Sequence, residues 1–528
     1  MRNLTFLLIL AFSIGFAETI PLKRGDFATG DSHPDSAELQ WLLNFNLIQI
    51  GGIGDEAPDY VINTLHSSGA KLLSYEWMPA GYHYIDGSPD DPFMAWVYSR
   101  RDSLTLNPNG PFPHCSDAGY NWCEDYYYDL AIHSLVSRRI NYLLSSIEDY
   151  DGLFFDWASG AFIDEREYTP IRDTFYSRHP DLVYSAVVGE FYRSLKEADS
   201  TELIMTNQGF RRCQYILQFV DYDMTESYAT TDEYLGDTIY IEGMGRQEVP
   251  KTIYYPVSDD YRTGHIEDHI HYLNVLKQCG DEHGGEYFQK FVYMNYAAPD
   301  FVPTGDTING YAVFRPEVPK NAIYFAYVIP KLLDFWVYTE TPWDHRFERD
   351  SIYFYDLGET LGTSYDSLGN HVYVRYYSQG FVVAGEWQET TQVHIESQFI
   401  PSGIPFYDAY EQQWDTTGVN NVDFLIRPQY DSLIGRMAPS GRVFLYDLDY
   451  TGISEPNPPG ILVKDGLYIP SKRVKRVRIF DVTGRVVFDS KVPMDRKVSI
   501  SLKNGVFFLE FTGNNGQILA KRKIEIIR

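Results

Sequence analysis

Short apolar runs alternate with amphipathic helical segments from residue 47 to about residue 331, and this alternation constrains the fold more than any other feature. The run from Gly152 to Phe155 is apolar on both faces, which is typical of a strand covered on both sides in a parallel sheet. Repeated strand–helix units imply right-handed crossovers, and eight strands over this length predict a (β/α)8 TIM barrel. An open doubly wound sheet is the alternative, although no Gly-x-Gly-x-x-Gly turn follows the first strand to support a dinucleotide site. The predicted strands are 46–51, 71–75, 125–129, 152–156, 202–206, 222–226, 251–255 and 291–294.

Three amphipathic helices are predicted between these strands, at 58–67, 131–147 and 181–198. In the second, seven apolar residues line one face, and Arg138 and Arg139 are placed on the opposite face. A long segment at 78–124, rich in Gly, Pro, Asp and aromatic residues, is expected to form a wall or lid of a functional site.

The alternation of strands and helices ends after Thr341. Short strands separated by Gly, Asp and Asn turns follow, and this pattern predicts an all-β sandwich. A Pro-rich stretch then predicts a stiff linker, and the last segment predicts a small C-terminal β-sandwich domain. The predicted organisation is a signal peptide at 1–17, the barrel at 18–341, the sandwich at 342–452, the linker at 453–460 and the C-terminal domain at 461–528.

The first 17 residues have the pattern of a secretory signal peptide. Arg2 precedes an apolar run from Leu4 to Ile14, and Gly15 and Ala17 provide small residues for cleavage before position 18. The run is too short to span a bilayer comfortably, and no later stretch approaches transmembrane length. The sequence therefore predicts a secreted protein that is extracellular or attached to the cell surface.

Charge and aromatic content restrict the class of ligand. The formal net charge is −29, and aromatic residues make up 16% of the chain. Strong acidity disfavours nucleic acid or an anionic membrane as a partner, because both would repel the protein. Aromatic side chains provide flat surfaces for sugar rings, although much of this content must lie in the core. The last 68 residues differ, with 15 Lys and Arg against 6 Asp and Glu.

Export would permit disulfide bonds among the four cysteines, Cys115, Cys123, Cys213 and Cys279. Cys115 and Cys123 are close enough to close one loop, whereas the other two could pair only if the fold brought them together. Spacing does not fix the connectivity, and it does not fit a zinc knuckle.

Polar residues end several predicted barrel strands. Strand ends converge at one face of a barrel, where ligands bind, so Glu76, Asp156, Asn207 and Glu226 are expected to meet there. Two carboxylates at such a mouth are the requirement for glycosidic cleavage, and we assign this catalytic pair to Asp156 and Glu226. The alternative for Asp156 is a simple cap of the following segment.

Other residues near these strand ends are predicted to bind substrate. Asn207 is placed to hold a sugar hydroxyl or to orient a carboxylate, and Glu76 and Asp129 are binding groups or ion-pair partners. Asn295 follows the predicted strand at 291–294. Aromatic rings that are candidates for stacking on sugars, with core packing as the alternative, are Tyr75, Trp77, Trp157, Tyr228 and Tyr255.

The sequence resembles (β/α)8 glycoside hydrolases of the hypothetical glycosyl hydrolase and polygalactosaminidase-like families. The resemblance lies in Asp-Gly-Leu-Phe-Phe-Asp at 151–156, Thr-Asn-Gln-Gly at 206–209 and Thr-Glu-Ser-Tyr at 225–228. It implies a glycoside hydrolase acting on a polysaccharide or oligosaccharide, with the catalytic roles on Asp156 and Glu226 and without a cofactor. The stretch Tyr-Val-Arg-Tyr-Tyr-Ser-Gln-Gly-Phe-Val-Val at 373–383 also resembles the β-domain that follows many such barrels. The departures are Asn-Gln-Gly in place of Asn-Gly, and the long Cys-bearing loop.

The C-terminal segment is similar to type IX secretion sorting domains. The similarity rests on the strand-like stretch at 474–487, on Leu-Lys-Asn-Gly-Val-Phe-Phe-Leu-Glu-Phe at 502–511 and on the basic strand at 521–527. It implies secretion machinery as a partner. The alternative is a small carbohydrate-binding or structural β-domain.

Other chemistries have less support. His265 and His269 lie one helical turn apart, but the Glu of a His-Glu-x-x-His motif is misplaced, so a solvated helix face is predicted and no metal. No Gly-x-Ser-x-Gly nucleophile elbow is present in the sequence, so serine-hydrolase chemistry has no support. Two alternatives stay open. The first is a non-catalytic glycan-binding or cell-envelope protein built on the same barrel. The second is an alpha-amylase-like enzyme, in which the catalytic acid would follow the fifth strand, where this chain has Asn207.

Overall fold

The computed structural model describes most of the chain between residues 27 and 526. The gaps are 54, 79, 82–90, 109–125, 165–168, 255–264, 285–290, 343–348, 402–405, 416–420, 432, 434, 447–460, 464–465, 469–474, 482–484, 494–496, 499–504 and 513–517. The predicted signal peptide, the linker, Cys115, Cys123 and Tyr255 lie outside the described residues. Packing divides the chain into two compact units, of which the first contains 27–226 and 276–292 and the second contains 227–275 and 293–528.

The described helices and strands are numbered in chain order. The helices are α1 (Ser36–Leu42), α2 (Asp59–Ser68), α3 (Pro92–Tyr98), α4 (Arg101–Leu104), α5 (His133–Ser146), α6 (Ala161–Asp164), α7 (Thr169–Arg178), α8 (Tyr184–Ala198), α9 (Cys213–Ile216), α10 (Ile266–Cys279) and α11 (Lys320–Lys331). The strands of the first 340 residues are β1 (Phe27–Gly30), β2 (Leu47–Gly52), β3 (Lys71–Trp77), β4 (Ala80–Gly81), β5 (Tyr126–Tyr127), β6 (Gly152–Asp156), β7 (Leu203–Asn207), β8 (Tyr222–Thr225), β9 (Thr230–Ile241), β10 (Gly245–Tyr254), β11 (Phe291–Tyr296), β12 (Asp300–Ile308), β13 (Tyr311–Glu317) and β14 (Trp336–Glu340).

The remaining strands belong to the β-rich C-terminal part. They are β15 (Asp366–Gly369), β16 (Val372–Tyr376), β17 (Gly380–Gly385), β18 (Thr391–Glu396), β19 (Phe406–Asp408), β20 (Gln413–Asp415), β21 (Asn421–Ile426), β22 (Tyr430–Asp431), β23 (Arg436–Met437), β24 (Ser440–Leu445), β25 (Ile461–Val463), β26 (Gly466–Tyr468), β27 (Arg476–Asp481), β28 (Val486–Lys491), β29 (Lys497–Val498), β30 (Gly505–Thr512) and β31 (Ile518–Ile526).

Eight strands form one sheet in the order β1-β2-β3-β6-β7-β8-β11-β14, which is the order of the strands along the chain. The successive pairs from β1 to β8 are parallel. Helices such as α2, α5 and α8 lie between successive strands, as parallel crossovers require. This is the strand order of a (β/α)8 barrel, which confirms the predicted fold class.

Two of the predicted barrel strands are wrong. The segment at 125–129 contributes β5, which pairs antiparallel with β4 outside the barrel sheet. The segment at 251–255 belongs to β10, in a four-stranded sheet of order β10-β9-β13-β12. Strand β10 is exposed or half-buried over most of its length and is buried only at Val249, Pro250 and Tyr254, whereas β6 is buried over Gly152–Phe155. The two places in the barrel are taken by β1 and β14, which the sequence pattern did not reveal.

The central strand β6 depends on a glycine at its start. A Cβ atom on Gly152 would collide with the backbone carbonyl of Leu203 on the neighbouring strand β7. Asp151, just before it, accepts hydrogen bonds from Leu72 N at 2.9 Å and Lys71 Nζ at 2.5 Å and lies 2.9 Å from His66 Nε2. These contacts lie at the N-terminal end of the strand, where barrel residues serve stability.

We expect Gly152→Ala to lower the free energy of unfolding by about 3 kcal/mol, because the new methyl group would clash with the Leu203 backbone, which cannot move aside as a flexible side chain can. Gly30→Ala is the matched control, since its Cβ would meet the movable Leu42 Cδ1, and about 1 kcal/mol is expected there. Urea unfolding of both variants measures the difference. Equal losses would contradict the proposed backbone collision.

Among the described residues after 341, the regular structure consists of β-strands apart from one 3-10 turn at Ile352–Phe354, as the predicted β-sandwich requires. Six strands form a sheet of order β15-β16-β17-β24-β19-β20, and β18 pairs with β21. Buried residues from these strands, including Val374, Phe381, Ile395, Phe424 and Phe444, form one core. The C-terminal segment forms two further antiparallel sheets, β25-β26-β29 and β28-β27-β30-β31.

Two further observations concern export and membranes. Cys213 and Cys279 form a disulfide whose Cα atoms lie 6.0 Å apart, although 66 residues separate them. The fold thus provides the proximity that spacing alone left open. Among the described helices, none has the length and apolarity that a bilayer crossing requires.

Candidate active site

Three polar residues lie at the carboxyl ends of three neighbouring barrel strands. Asp156 ends β6, Asn207 ends β7, and Glu226 directly follows β8. Because the strands are parallel and adjacent, these ends lie side by side at one edge of the sheet. The end of each of these strands therefore places one polar side chain at the same edge of the sheet.

The amide of Asn207 joins the two carboxylates. Its Nδ2 donates to Asp156 Oδ1 at 2.8 Å and to Glu226 Oε2 at 2.9 Å. Because both bonds are this short, the two accepting oxygens lie within about 6 Å of each other. Asn207 is 3% exposed, and its Oδ1 has no hydrogen-bond partner among the described residues. Of the two roles that the sequence left open for Asn207, orienting a carboxylate is the one this geometry fits.

Asp156 accepts hydrogen bonds on both carboxylate oxygens. Tyr75 Oη donates to Oδ2 at 2.7 Å, and Trp157 N donates to Oδ1 at 2.8 Å, beside the Asn207 amide. Three donors that converge on one carboxylate fix its orientation. Tyr75, which sequence reasoning treated as a stacking ring, thus contacts this carboxylate through its hydroxyl.

The residue after each of these strand ends has a left-handed backbone. Trp157 has φ 52°, Gln208 has φ 62° and Ser227 has φ 54°. Such conformations cost non-glycine residues about 1–3 kcal/mol each and cluster at functional sites, where surrounding structure maintains them. These three residues directly follow Asp156, Asn207 and Glu226, which supports a functional site at this edge of the sheet.

A buried carboxylate fixes the turn after β7. Asp223 accepts hydrogen bonds from Thr206 Oγ1 at 2.6 Å, Gly209 N at 2.7 Å and Phe210 N at 2.9 Å. Burial raises the pKa of Asp223 to about 7, while these donors act to lower it. Asn207 is therefore held from both sides of its turn. Sequence reasoning missed Asp223, although a charged residue inside a buried strand was a signal that could have found it.

A cavity of about 610 Å³ lies at the carboxyl ends of β1, β2 and β3. This volume is within the range of small-molecule sites. Tyr75 lines the cavity and also donates a hydrogen bond to Asp156, whereas neither Asp156 nor Glu226 is among the described residues that line it. No basic side chain lines its described part, and the acidic residues that do are Asp31, Asp55, Glu56, Glu76 and Asp91.

Glu76 lines this cavity but is held in an ion pair. Arg139 Nη2 lies 2.9 Å from Glu76 Oε1, and the Arg139 side chain is fully buried. Burial raises the pKa of Glu76, and the Arg139 charge opposes that rise. Arg139 also donates to the carbonyls of Trp77 and Met78, which holds the chain after β3 beside the cavity. The placement of Arg139 on the outer face of its helix was wrong.

Two other predicted binding residues have different surroundings. Asp129 is buried with Arg178 Nη1 at 3.2 Å and His179 Nε2 at 3.0 Å, which is the ion-pair alternative. Trp157 follows Asp156 directly and is 37% exposed.

Two further predicted binding residues belong to the second unit. Tyr228 is fully buried and donates from Oη to the carbonyl of His269 at 2.6 Å, and Asn295 Oδ1 accepts from Ala229 N at 2.7 Å. Both contacts serve packing of the loop after β8, so neither side chain offers a face for stacking or a free amide oxygen.

Comparisons with known proteins give structural neighbours only. No protein family matches the sequence, and no curated protein matches it. The glycoside hydrolase domain of PelA from Pseudomonas aeruginosa is 13% identical, with 60% of this chain and 95% of that chain covered and a TM-score of 0.36.

Two amylase structures cover more of the chain. The maltogenic alpha-amylase AmyB from Thermotoga neapolitana is 10% identical over 80% of this chain and 99% of that chain, with a TM-score of 0.43. The alpha-amylase from Geobacillus thermoleovorans complexed with acarbose is 9% identical over 79% of this chain and 98% of that chain, with a TM-score of 0.40. The assignment of the site rests on the geometry described above.

Proposed function

We propose that this protein is a secreted glycoside hydrolase that cleaves O-glycosidic bonds of a polysaccharide or oligosaccharide with Asp156 and Glu226. The observation that carries the proposal is the Asn207 amide, which holds one oxygen of each carboxylate under 3 Å from the same nitrogen. Paired carboxylates at this spacing are the machinery of glycosidic cleavage. Their position at the carboxyl ends of barrel strands is where barrel enzymes do their chemistry.

The hydrogen bonds support different roles for the two carboxylates. Asp156 accepts three donated bonds that fix the orientation of its carboxylate, so we assign it as the nucleophile and Glu226 as the acid. An Asp156 oxygen bonds to the anomeric carbon while the bond from that carbon to the glycosidic oxygen breaks. The departing oxygen takes the electron pair of the broken bond and a proton from Glu226. Water then attacks the glycosyl ester, Glu226 takes the proton of that water, and Asp156 is released.

Carboxyl separation supports retention of configuration. Retaining enzymes hold their carboxyl groups about 5–5.5 Å apart, whereas inverting enzymes leave about 6.5–9.5 Å for a water molecule. The accepting oxygens of Asp156 and Glu226 share one donor and lie within about 6 Å of each other. We therefore expect retention of anomeric configuration.

The cavity charge restricts the substrate. Five carboxylates and no basic side chain line the described part of the cavity, so a polymer of uronic acids would be repelled. Neutral or cationic glycans are the expected substrates. We also propose that the protein is exported, with segment 1–17 as a signal peptide and segment 461–528 as a type IX-like sorting domain. Both assignments rest on sequence patterns.

The test is reducing-end release from a panel of glycans by the purified protein. Neutral polymers, amino-sugar polymers and uronic-acid polymers should be compared at equal mass and at two salt concentrations. Turnover of a neutral or cationic glycan is expected, with no turnover of polyuronates. Binding to any of these glycans without release would instead support the non-catalytic alternative.

Asn207→Leu tests the clamp between the carboxylates. We expect kcat to fall about 100-fold, because misplacement of catalytic groups by about 1 Å has this effect. The variant also removes the Nδ2 donor from both carboxylates, so a loss of about 1–3 kcal/mol in the free energy of unfolding is expected beside the loss of kcat. Initial rates and thermal unfolding measured together separate the two effects. An unchanged kcat would contradict the positioning role.

A further inference from the structure

A cluster of potential metal ligands lies where helix α10 begins, within the second unit. His265, Glu267 and Glu386 each offer a ligand atom, and these atoms all lie within 4.8 Å of one another. His265 Nδ1 is 3.2 Å from Glu386 Oε2, and the Glu386 side chain is only 5% exposed. Glu386 comes from the end of β17 and is 121 residues from His265, so the cluster could not be read from the sequence.

One distance within the cluster matches the spacing of ligand atoms around a tetrahedral ion. Ligand bonds of about 2.0–2.1 Å place neighbouring ligand atoms of a zinc site about 3.3 Å apart. The separation of His265 Nδ1 from Glu386 Oε2 already matches this value. One imidazole and two carboxylates also neutralise the charge of a divalent ion, and this mixed donor set favours zinc over calcium or magnesium.

Surrounding groups orient both carboxylates. Glu267 Oε1 accepts a hydrogen bond from Tyr373 Oη at 2.7 Å and lies 2.6 Å from His371 Nδ1. Glu386 Oε1 accepts from Ile266 N at 2.7 Å, which leaves Oε2 directed at His265. Ligating carboxylates in metal sites are held by hydrogen bonds of this kind.

We propose that His265, Glu267 and Glu386, here called the α10 site, bind a divalent transition-metal ion of the Zn²⁺ type. The ion occupies the space between the start of α10 and the end of β17, which Glu386 directly follows. It acts as a structural link between these elements and has no part in the proposed hydrolysis.

Arg436 competes with the ion. Its Nη1 lies 3.2 Å from His265 Nδ1 and 4.0 Å from Glu386 Oε2. Metal binding requires this guanidinium to withdraw, and its side chain is 25% exposed, so water is within its reach. Removal of the Arg436 charge should therefore tighten metal binding.

The test uses the full-length protein after treatment with a chelator. Titration calorimetry with ZnCl2 and thermal unfolding with and without ZnCl2 are measured for wild type, His265→Gln and Arg436→Met. In the wild type, saturating zinc should raise the unfolding temperature by about 2–5 °C, whereas CaCl2 and MgCl2 should not. His265→Gln should weaken zinc binding at least tenfold, and Arg436→Met should strengthen it several-fold.

His394→Asn is the matched control. His394 Nδ1 lies 2.8 Å from Asp423 Oδ1 on the solvent-facing side of the paired strands β18 and β21, and these two residues belong to no three-ligand cluster among the described residues. Zinc affinity should be unchanged in this variant. Absence of zinc binding by the wild type, equal binding by wild type and His265→Gln, or no gain in Arg436→Met would overturn the α10 site.

Discussion

Asp156→Asn is expected to lower kcat by at least about 1,000-fold on any glycan that the protein cleaves. The variant keeps the size of the side chain but removes the charge that attacks the anomeric carbon. An amide donor also replaces either the oxygen that accepts from both the Asn207 amide and the Trp157 N–H or the oxygen that accepts from Tyr75 Oη, which disturbs these contacts. Steady-state rates on the best substrate of the panel measure the loss.

Glu226→Gln is expected to be as damaging on natural glycans but milder on substrates with good leaving groups. Its loss removes the proton donor, and an aryl leaving group that departs without protonation needs that donor less. The ratio of rates on an aryl glycoside and on a glycan should therefore rise in Glu226→Gln and stay constant in Asp156→Asn. The opposite pattern would exchange the two roles.

The matched control for Asp156→Asn lies on the same strand. Asp151 and Asp156 flank Gly152–Phe155, but Asp151 bonds Lys71, His66 and Leu72 at the opposite end. Asp151→Asn should lower stability and leave kcat within a few-fold of wild type. A loss of kcat in Asp151→Asn equal to that in Asp156→Asn would show that strand integrity, and not the chemistry of Asp156, limits the rate.

Arg139→Met is expected to lower the free energy of unfolding by about 3–5 kcal/mol. The variant keeps apolar volume against the rings of Tyr128 and Phe191 but leaves the Glu76 carboxylate buried without its cation. An uncompensated buried charge has a cost of this size. Arg138→Met, at the exposed neighbouring position, should cost less than about 1 kcal/mol. Urea unfolding of each variant provides the values.

The pH dependence of Arg139→Met follows from Glu76. Burial raises the pKa of Glu76, and without Arg139 nothing in that pair offsets the rise. A carboxyl whose pKa is higher in the folded state stabilises the fold at acidic pH and loses that contribution as the pH rises. The deficit of Arg139→Met should therefore be smaller near pH 4 than near pH 8, and Glu76→Gln in the same chain should remove this difference. A deficit independent of pH would contradict the charge argument.

The barrel was predictable where local pattern and burial agree. The strand at Gly152–Asp156 and helices α2, α5 and α8 were found within a few residues, because their apolar periodicity matches their surroundings. Residues 251–254 also have the composition of a strand but lie in an antiparallel sheet. Composition does not distinguish a strand buried on both faces from one that is half exposed, which explains this error. The short strand at 126–127 is buried, so its error has another cause, the antiparallel pairing with β4 outside the barrel sheet.

The candidate site was predictable in its residues more than in its geometry. Asp156, Asn207 and Glu226 could be selected because polar residues that end buried strands meet at one edge. The shared amide contact, the left-handed residues that follow and the buried Asp223 depend on torsion angles and partners that spacing does not encode. The prediction for Arg139 was wrong for a related reason. A charged residue was expected to face solvent, but Arg139 pairs in the interior with Glu76, which lies 63 residues earlier in the chain.

The most direct test of the central claim is reducing-end release by wild type, Asp156→Asn and Glu226→Gln, measured side by side on one cleaved glycan. Thermal unfolding of the same samples ensures that all three are folded. The account predicts release by the wild type and a loss of at least about 1,000-fold in each folded variant. Release that survives in either folded variant would contradict the assignment of the two carboxylates.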